Sequence, residues 1–384
     1  MLNSTPAKIA LVHHWLVTPR GGEQVLAAIA ELYPQADLFT LVREPGLARA
    51  LFPGRSIQAS PLQRIPGIRR GYRLCLPWFG WASARLQVEG HALVISSDAA
   101  TVKSVRAGAE ALHVCYCHSP MRYVWSGYDT YRQTGGRLAR HLLPVLVERL
   151  RRQDFAAAQR VDVFVANSET VRARIRRYYQ RESLVIPPPV AVDVFRPAVG
   201  GRGGARSPEF LAVSSLVPYK RLDIAIEAFN HNGLPLCIVG EGSERARLQR
   251  RARPNIRFLG AVPRPELVTR LQTSRALVFP GEEDFGIIMA EALACGCPVV
   301  AYNAGGATEI VRHGVSGLLF KPQSAAGLIG ALEALPQYSF REDVLRASVL
   351  RFSRVRFQAD FARCVEQAWQ THLRSRRPAA AAGA

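Results

Sequence analysis

The sequence alternates short apolar runs with longer helical patterns, and it does so in two separate series. Apolar runs of this length, without polar alternation, are typical of strands buried on both faces of a parallel sheet. Parallel strands need helical crossovers, so the alternation predicts two doubly wound α/β domains. The runs are KIALVHHWLV (8–17), ADLFTLV (36–42), ALVISS (92–97), LHVCYCHSP (112–120) and VDVFVANS (161–168), then EFLAVSS (209–215), PLCIVG (235–240), NIRFLG (255–260), ALVFP (276–280) and PVVAY (298–302).

The amino-acid composition of the chain changes between the two series. Three consecutive prolines (187–189) end the first block, and GGRGG (200–204) does not favour a helix or a strand and reads as a linker. The predicted segments are an N-terminal domain over 1–199, a C-terminal domain over 200–353, a helix over 354–373 that packs back toward the N-terminal domain, and a disordered tail over 374–384.

The chain is strongly basic, with 50 lysines and arginines against 30 acidic residues and a net charge of +20. Only four of the basic residues are lysines: Lys8, Lys103, Lys220 and Lys321. A chain this basic is expected to bind polyanions such as anionic lipid heads or diphosphates. No zinc-finger spacing or RNA-binding aromatic signature accompanies the charge, so nucleic acid is not predicted as a partner.

Segments that would direct the chain into or across a membrane are not evident. No run reaches about 18 apolar residues without a charge, so no membrane span is predicted. The first ten residues lack the pattern of a signal peptide. The seven cysteines are scattered and odd in number, which favours reduced thiols in a cytoplasmic protein.

A glycine pair follows the first apolar run. Gly21 and Gly22 precede a helical pattern that starts at Glu23, and strand, glycine loop and helix form a Rossmann-type opening. Such a loop leaves the helix N-terminal amides free to face an anion. The pattern by itself also fits a turn that binds no ligand.

Two features of the second series follow strands, where open α/β sheets bind ligands. Lys220 ends the segment SSLVPYK (214–220) and could place a cation on a phosphate, the alternative being a solvated surface lysine. Gly240 and Gly242 form a turn after a strand that could bring the backbone close to a ligand.

The third feature is PGEEDFGIIMAEALACGCPVVAYNAGGATEIV (280–311). Glu283 is predicted in the loop before a helix and Glu291 inside that helix. Both could instead be solvated acids, but Glu291 lies in an apolar run, where a charge is costly unless it is paired. The helix start should also offer free amide donors to a diphosphate. The residues expected to supply them are Phe285, Gly286 and Ile287.

The segment from 282 to 311 resembles the donor-binding motif of the family 4 retaining glycosyltransferases, in which seven residues separate two glutamates. The segments KIALVHHWLVTPRGGEQVL, ADLFTLV, CYCHSPMRYVWSGY and VPYKRLDIAIEAFN are similar to the bacterial O-antigen and exopolysaccharide mannosyltransferase branch. The resemblance implies the GT-B fold, two Rossmann-like domains facing across a cleft, and catalysis without a metal or other cofactor. It also implies GDP-mannose as donor and a polyprenyl-diphosphate-linked glycan as acceptor, in surface polysaccharide (lipopolysaccharide) synthesis.

The resemblance implies a role for each polar residue of the second domain. Glu283 would hold the donor-sugar hydroxyls, Glu291 the ribose, and Lys220 the departing diphosphate. One position departs from the family, which usually has arginine where this chain has Ser215. Either another basic group, such as Arg221, acts with Lys220, or turnover is weakened. A degenerate, non-catalytic sugar-nucleotide-binding protein is therefore kept as the alternative.

In the first domain, the resemblance implies that Gly21 and Gly22 bring the backbone to the phosphates. It places His118 near the donor sugar and the reacting centre, with a hydrogen-bonded core histidine as the alternative. Retention without an obvious enzymic nucleophile suggests front-face substitution, in which the protein supplies charge stabilisation and alignment. The catalytic residues predicted for this mechanism are His118, Lys220 and Glu283.

The segment RIPGIRRGYRLCLPWFGWASARL (64–86) mixes arginines with tryptophans and other aromatic residues. This combination suits a membrane surface or a lipid diphosphate, although an internal helix pair with a solvated basic face is equally compatible. Basic helical faces over 137–152 and 172–181 add to the charge. We therefore expect peripheral association with the inner face of an anionic cell membrane.

Overall fold

The computed structural model describes residues 6, 8–18, 21–128, 137–198 and 206–376. The chain folds as two compact units, the first formed by Met1–Pro189 with Val355–Ala384 and the second by Val190–Arg354. The boundary therefore falls at Pro189, before the predicted boundary at 199/200. The predicted glycine linker over 200–204 lies outside the described residues.

Unit 1 contains a seven-stranded parallel sheet in the order β3-β2-β1-β4-β5-β6-β7. The five strands predicted from the first series of apolar runs are all present. The prediction missed β3 and β7, which have three and two residues and too little apolar sequence to stand out. The strands are β1 (Ile9–His13), β2 (Asp37–Thr40), β3 (Ile57–Ala59), β4 (Leu93–Asp98), β5 (Leu112–Cys117), β6 (Val163–Ala166) and β7 (Leu184–Val185).

Helices and short 3₁₀ turns join these strands. The helices are α1 (Gly21–Leu32), α2 (Pro45–Leu51), α3 (Ile68–Gly71), α4 (Phe79–Ser83), α5 (Arg137–Gln159) and α6 (Glu169–Tyr179). The 3₁₀ turns are Pro61–Arg64, Tyr72–Trp78 and Val102–Ser104. The basic aromatic segment over 64–86 is thus a chain of short helical pieces rather than one long helix.

The C-terminal helix, Arg354–Arg376, extends beyond its predicted end at 373. From Val355 onward it belongs to unit 1. Phe357 and Phe361 are buried in the same core as α1 and β1, and the Gln358 amide donates to the Ala28 carbonyl at 3.0 Å. The last eight residues, 377–384, lie outside the described part of the chain.

Unit 2 contains a six-stranded parallel sheet in the order β10-β9-β8-β11-β12-β13. The five strands predicted from the second series are present, and β13 was missed. The strands are β8 (Phe210–Val213), β9 (Leu236–Val239), β10 (Ile256–Gly260), β11 (Leu277–Phe279), β12 (Val299–Tyr302) and β13 (Gly317–Phe320).

Helices and short 3₁₀ turns connect the strands of this second sheet. The helices are α7 (Leu222–Asn232), α8 (Arg245–Arg251), α9 (Arg264–Thr273), α10 (Ile287–Ala294), α11 (Ala307–Ile310), α12 (Ala325–Ala334) and α13 (Glu342–Val349). The 3₁₀ turns are Pro218–Lys220, Leu335–Gln337 and Leu350–Phe352.

Both sheets reverse their strand order once. In unit 1 the reversal lies between β1 and β4, and in unit 2 it lies between β8 and β11. Crossovers on the two sides of such a point leave in opposite directions, which opens a crevice at the carboxyl ends of the two strands. Each unit is therefore a doubly wound, Rossmann-like domain, as the sequence predicted, and each has one place in its own sheet where a ligand is expected.

Candidate active site

Lys220 and Glu283 meet at the strand reversal of unit 2. Lys220 ends the 3₁₀ turn that follows β8, and Glu283 lies in the loop between β11 and α10. The Lys220 Nζ forms an ion pair with Glu283 Oε1, and the two side chains are only 13% and 17% exposed. The pair joins the two loops that leave the diverging strands, so a cation and a carboxylate face the same crevice.

The surroundings of Lys220 are aromatic and tightly packed. Its Nζ lies 5.3 Å from the centroid of the Tyr219 ring and 5.6 Å from that of Phe279. A Cβ on Gly281 would stand 2.8 Å from the Lys220 carbonyl oxygen, so only glycine allows this approach of the two loops. Aromatic walls reduce the screening of the ammonium group and strengthen its attraction for an anion.

The loop that carries Glu283 is held from the other side by a second glycine pair. The Gly306 amide donates to the Glu283 carbonyl at 2.8 Å. Gly305 has a positive φ of 61°, and a Cβ there would lie 2.3 Å from that same carbonyl oxygen. A Cβ on Gly306 would lie 2.1 Å from the Phe285 carbonyl oxygen. The path of the Glu283 loop therefore depends on two glycines that follow β12.

Helix α10 begins directly after this loop. Gly286 precedes it with a φ of 90°, a left-handed conformation that favours glycine. The Phe285 side chain is buried and packs edge-to-face on Phe352 with ring centroids 5.2 Å apart. Any contact of Phe285 with a ligand must therefore use its backbone. Ile287 is the first residue of the helix, where backbone amides have no intrahelical acceptor.

Glu291 lies inside α10, as the sequence predicted, and is 6% exposed. Burial raises the pKa of its carboxyl group from 4.5 to about 7, against the smaller opposite effect of the Arg264 guanidinium. A carboxyl group with this pKa is partly protonated near neutral pH. It can therefore both donate and accept hydrogen bonds at the pH of a cell.

Gly240 and Gly242 have a packing role. A Cβ on Gly240 would lie 1.9 Å from the Ser214 carbonyl oxygen, and one on Gly242 would lie 2.2 Å from the Leu216 carbonyl oxygen. These distances show why the turn after β9 needs small residues, since it crosses the segment after β8 at backbone contact. Their proposed contact with a ligand stays a prediction.

Arg221, which sequence analysis offered as a second cation, is bound within the protein. Its Nε lies 3.1 Å from Asp223 Oδ1, and the residue has a positive φ of 53° at the start of α7. The Ser215 carbonyl accepts the Val217 amide at 2.9 Å. Arg221 is therefore engaged with Asp223 in this structure, and Lys220 is the cation that contacts Glu283.

His118 lies at the strand reversal of unit 1, directly after β5. Its amide donates to the Asp98 carbonyl at 2.8 Å, and its carbonyl accepts the Asn167 side-chain amide at 2.9 Å. Its Nε2 lies 2.8 Å from Ser97 Oγ, and the same hydroxyl lies 3.0 Å from His13 Nδ1. One hydroxyl thus connects two imidazole rings across β1, β4 and β5.

Gly22 lies against this histidine cluster. A Cβ on Gly22 would be 3.4 Å from His13 Cε1, 3.6 Å from His14 Cε1 and 3.7 Å from His118 Nε2. All three are ordinary van der Waals distances, and Gly22 has no positive φ. The fold therefore does not require glycine at position 22, whereas a ligand approaching the α1 amides would.

Four residues of this cluster have no role predicted from the sequence. They are His13, His14, Glu23 and Ser97. The signal that could have found them is the histidine pair inside the first apolar run, because β1 ends at His13 and a parallel strand delivers the side chains at its carboxyl end to the ligand edge of the sheet.

A buried charged group supports the same edge. Lys103 Nζ lies 2.9 Å from Asp98 Oδ2 and 2.5 Å from Asp154 Oδ1. Burial disfavours the ammonium form, but the carboxylates of Asp154 and Asp98 outweigh it and hold the pKa of Lys103 well above its ordinary value. Asp154 also accepts from Trp125 Nε1 at 2.8 Å and from the Tyr179 hydroxyl at 2.7 Å. The group fixes the loop that follows β4, because Asp98 Oδ1 also accepts from the Ala100 and Val102 amides.

A groove of about 970 Å³ lies beside the basic aromatic segment of unit 1. Trp78 and Trp81 line it and are 58% and 47% exposed. The guanidinium of Arg85 stacks on the Trp81 ring at 4.7 Å from its centroid. Three more arginines contributed by other segments line the groove: Arg106, Arg149 and Arg160. Within the described part of the chain, none of these three forms an ion pair.

Comparison with known proteins gives one family match, over residues 204–339, to the glycosyl transferases group 1. D-inositol 3-phosphate glycosyltransferase of Acidothermus cellulolyticus is 26% identical over 85% of this chain and 79% of its own length. A GDP-mannose-dependent alpha-(1-6)-phosphatidylinositol monomannoside mannosyltransferase of Mycobacterium tuberculosis is 30% identical over 39% of this chain and 46% of its own length.

The fold has solved counterparts. The crystal structure of Alr3699/HepE from Anabaena in complex with UDP has a TM-score of 0.70 and 19% sequence identity, and the match covers 94% of this chain and all of that one. The matched family segment begins beside β8 and includes both Lys220 and Glu283. Residues 204–339 thus match the glycosyl transferases group 1, and the chain shares the GT-B type of fold with this solved structure.

Across the described residues, no helix combines the length and the apolar character needed to cross a bilayer. All seven cysteines are unpaired.

Proposed function

We propose that this chain is a retaining glycosyltransferase that transfers mannose from GDP-mannose to a lipid-linked oligosaccharide in surface polysaccharide synthesis. The observation that carries the proposal is the contact between Lys220 and Glu283 at the strand reversal of unit 2. It lies inside the segment that matches group 1 glycosyltransferases. A cation suits the diphosphate of a nucleotide sugar, and a carboxylate suits the hydroxyls of the sugar bonded to that diphosphate.

In this proposal the donor inserts between the two paired side chains. Lys220 turns to the diphosphate and stabilises the charge that develops as the bond to the sugar breaks. Glu283 then accepts hydrogen bonds from the sugar hydroxyls, and the amides at the start of α10 face the phosphate oxygens. Before the donor arrives, the ion pair holds both side chains at the crevice, and the diphosphate and the sugar hydroxyls then replace each partner of the pair.

Retention follows from front-face substitution. The bond from the sugar to the diphosphate breaks while the acceptor hydroxyl attacks from the same side, and the departing phosphate oxygen accepts the hydroxyl proton. The residues of this chain supply charge stabilisation and alignment, Lys220 for the first and Glu283 with His118 for the second. We propose that no metal ion takes part, because Lys220 provides the positive charge that a metal would otherwise supply.

Sequence similarity supports GDP-mannose as the donor. A mannosyltransferase that uses GDP-mannose is among the relatives, and the sequence motifs resemble a mannosyltransferase branch. Other relatives are named for other reactions, for example D-inositol 3-phosphate glycosyltransferase, so the identity of the donor is the first point to test. We propose to screen GDP-mannose, GDP, UDP-glucose and UDP by thermal shift. A ligand at a hundred times its Kd should stabilise the protein by about 2.7 kcal/mol. A shift with uridine compounds alone would reject GDP-mannose.

The groove of unit 1 supports a lipid-linked acceptor. Exposed indole rings lie beside arginines that form no ion pair with any described residue, and this combination matches a ligand with an apolar chain and an anionic head. A polyprenyl diphosphate has that chemistry, and an anionic membrane presents it. We therefore propose that the protein works at the cytoplasmic surface of the cell membrane.

Flotation with anionic liposomes tests this surface. Arg149→Ala combined with Trp81→Ala should reduce flotation at low salt. Arg152→Ala is the matched control, because Arg152 lies on the same helix but pairs with Glu148 at 3.1 Å. No binding of the unmodified protein at low salt, or equal loss in the control, would refute a membrane role for the groove.

The competing function is a sugar-nucleotide-binding protein without turnover. Two observations favour it. Ser215 stands where the family usually has arginine, and Arg221 pairs with Asp223. Lys220, which pairs with Glu283, is then the cation that remains for the diphosphate. Release of GDP from GDP-mannose in the presence of lipid-linked acceptor separates the two functions. Binding without release would establish the non-catalytic protein.

A further inference from the structure

The hydroxyl of Ser97 lies between two imidazole rings in the interior of unit 1. It is 3.0 Å from His13 Nδ1 and 2.8 Å from His118 Nε2. A hydroxyl has one proton to donate and accepts through its oxygen. Among the described residues, this hydroxyl makes no hydrogen bond other than these two. Its proton must therefore point to one ring, and the other ring must donate to its oxygen.

The position of Glu23 decides between the two arrangements. His13 Nε2 is fully buried and makes no hydrogen bond within the described part of the chain. It lies 3.9 Å from Glu23 Oε1, which is too far for a hydrogen bond but close enough for the carboxylate to favour an N–H over a lone pair at Nε2. A bare Nε2 would direct its lone pair at the carboxylate, whereas an N–H there is attracted to it.

We propose that Glu23 sets the tautomer of His118 through His13 and Ser97. With the His13 proton on Nε2, its Nδ1 is bare and accepts the Ser97 hydroxyl. The Ser97 oxygen then accepts from His118, whose proton must be on Nε2. His118 is left with a bare Nδ1, which is a hydrogen-bond acceptor. Glu23, His13 and Ser97 are positioning residues, since they act on His118 and not on a substrate.

The tautomer matters because a neutral imidazole either donates or accepts at Nδ1. A ring that accepts at Nδ1 suits a sugar hydroxyl, whereas a ring that donates there suits a phosphate or a carbonyl. The use of this acceptor for a sugar rests on the proposed function. The tautomer itself does not, and it can be measured without any substrate.

His14 provides an internal reference. Its Nδ1 lies 3.2 Å from the Ser97 carbonyl oxygen, which can only accept. The His14 proton on Nδ1 is therefore fixed by the backbone, independently of the Ser97 hydroxyl and Glu23. Changes in the chain of hydrogen bonds should leave the His14 signal at its Nδ1–H position.

The experiment is long-range ¹H–¹⁵N correlation spectroscopy on histidine-labelled protein at pH 8, above the ordinary imidazole pKa of about 6.5. His118→Asn assigns the His118 signals. The expected result for the unmodified protein is a protonated Nε2 and a bare Nδ1 on His118. A protonated Nδ1 on His118 would overturn the proposal without the need for any variant.

Glu23→Gln tests the direction of control. The glutamine amide can turn its N–H toward His13 Nε2, which favours a bare Nε2 and reverses both hydrogen bonds. The His118 proton should then move to Nδ1 in at least half of the molecules. In a protein that also carries Ser97→Ala, Glu23→Gln should have no effect on His118. A His118 tautomer that is the same with and without Glu23→Gln, in the presence of Ser97, contradicts the inference.

Ser96→Ala is the matched control. Ser96 is the neighbour of Ser97 on β4, and its hydroxyl lies 2.8 Å from His113 Nε2. Its side chain projects to the opposite face of the sheet, because successive strand residues alternate. The control therefore removes an equally buried serine–histidine contact, and it should leave the His118 tautomer unchanged. A change in this control would show that the signal reports loss of packing.

Discussion

Replacing Glu291 by glutamine should stabilise unit 2 at alkaline pH and have little effect at acid pH. Burial raises the pKa of Glu291 from 4.5 to about 7. One pKa unit corresponds to about 1.4 kcal/mol. Ionising Glu291 in the folded protein should therefore cost about 3 kcal/mol more than ionising it in the unfolded chain. Glutamine has nearly the same shape and carries no charge to desolvate.

The sign follows from the protons bound by each state. Below pH 4.5 the carboxyl group is protonated in both states, so its burial costs nothing extra. Between pH 4.5 and about 7 the folded protein binds more protons than the unfolded chain, so the free energy of unfolding falls as pH rises. Above pH 7 the loss is complete. The advantage of Glu291→Gln should thus grow from near zero at pH 4.5 to about 3 kcal/mol at pH 8.

Calorimetry at pH 5 and pH 8 measures this difference. For a unit of this size, about 3 kcal/mol corresponds to a rise in Tm on the order of 10 °C. All five tryptophans lie in unit 1, so tryptophan fluorescence follows the unit that should not respond. Glu227→Gln, which removes a 64% exposed carboxylate, is the control for loss of a surface charge. Equal stability of Glu291→Gln and the unmodified protein at pH 8 would refute the reasoning.

The remaining predictions concern ligand binding and turnover. Lys220→Ala and Glu283→Ala should each lower turnover about a hundredfold in a steady-state assay, the scale of one lost transition-state contact, whereas the exposed neighbour Glu282→Ala should not. Gly22→Ala should leave the Tm of the protein unchanged, because the added methyl group fits the space beside the histidines. It should weaken donor binding roughly tenfold in calorimetric titration, because the methyl group occupies space that the donor needs. Affinity for a nucleoside diphosphate should rise between pH 6 and pH 8 and lose that dependence in Glu291→Gln, because an ionised carboxylate is the better acceptor for ribose hydroxyls.

The fold was largely predictable because its strands are continuous apolar runs. Strands such as β4 and β5 are buried along their whole length, and burial on both faces is what makes a run visible in sequence. The missed strands β3 and β7 have three and two residues, too few to form a pattern. The boundary between units was predicted from the glycine-rich segment, but the contacts change at Pro189, among the prolines that end the first block.

The site was predictable where one residue type stood out locally. Lys220 is rare as a lysine in this chain, and Glu291 is conspicuous as an acid in an apolar helix. The contact between Lys220 and Glu283 spans 63 positions and could not be derived from spacing. Ser97 was missed for the same reason, since its hydroxyl acquires meaning only when β4 lies between β1 and β5. Long-range contacts are set by strand order, which local patterns do not contain.

The buried polar groups of this protein differ in whether a partner compensates for their burial. Lys103 is buried, yet it is paired with Asp98 and Asp154, which is how a fold accommodates a charge that only supports it. Glu291 and His13 Nε2 are different, because burial leaves the first costly to ionise and the second without a hydrogen bond among the described residues. Departures of this kind destabilise a protein and concentrate at functional sites. One belongs to the helix that follows β11 and the other to β1, so each lies at the strand reversal of its own sheet, where a ligand is expected on topological grounds alone.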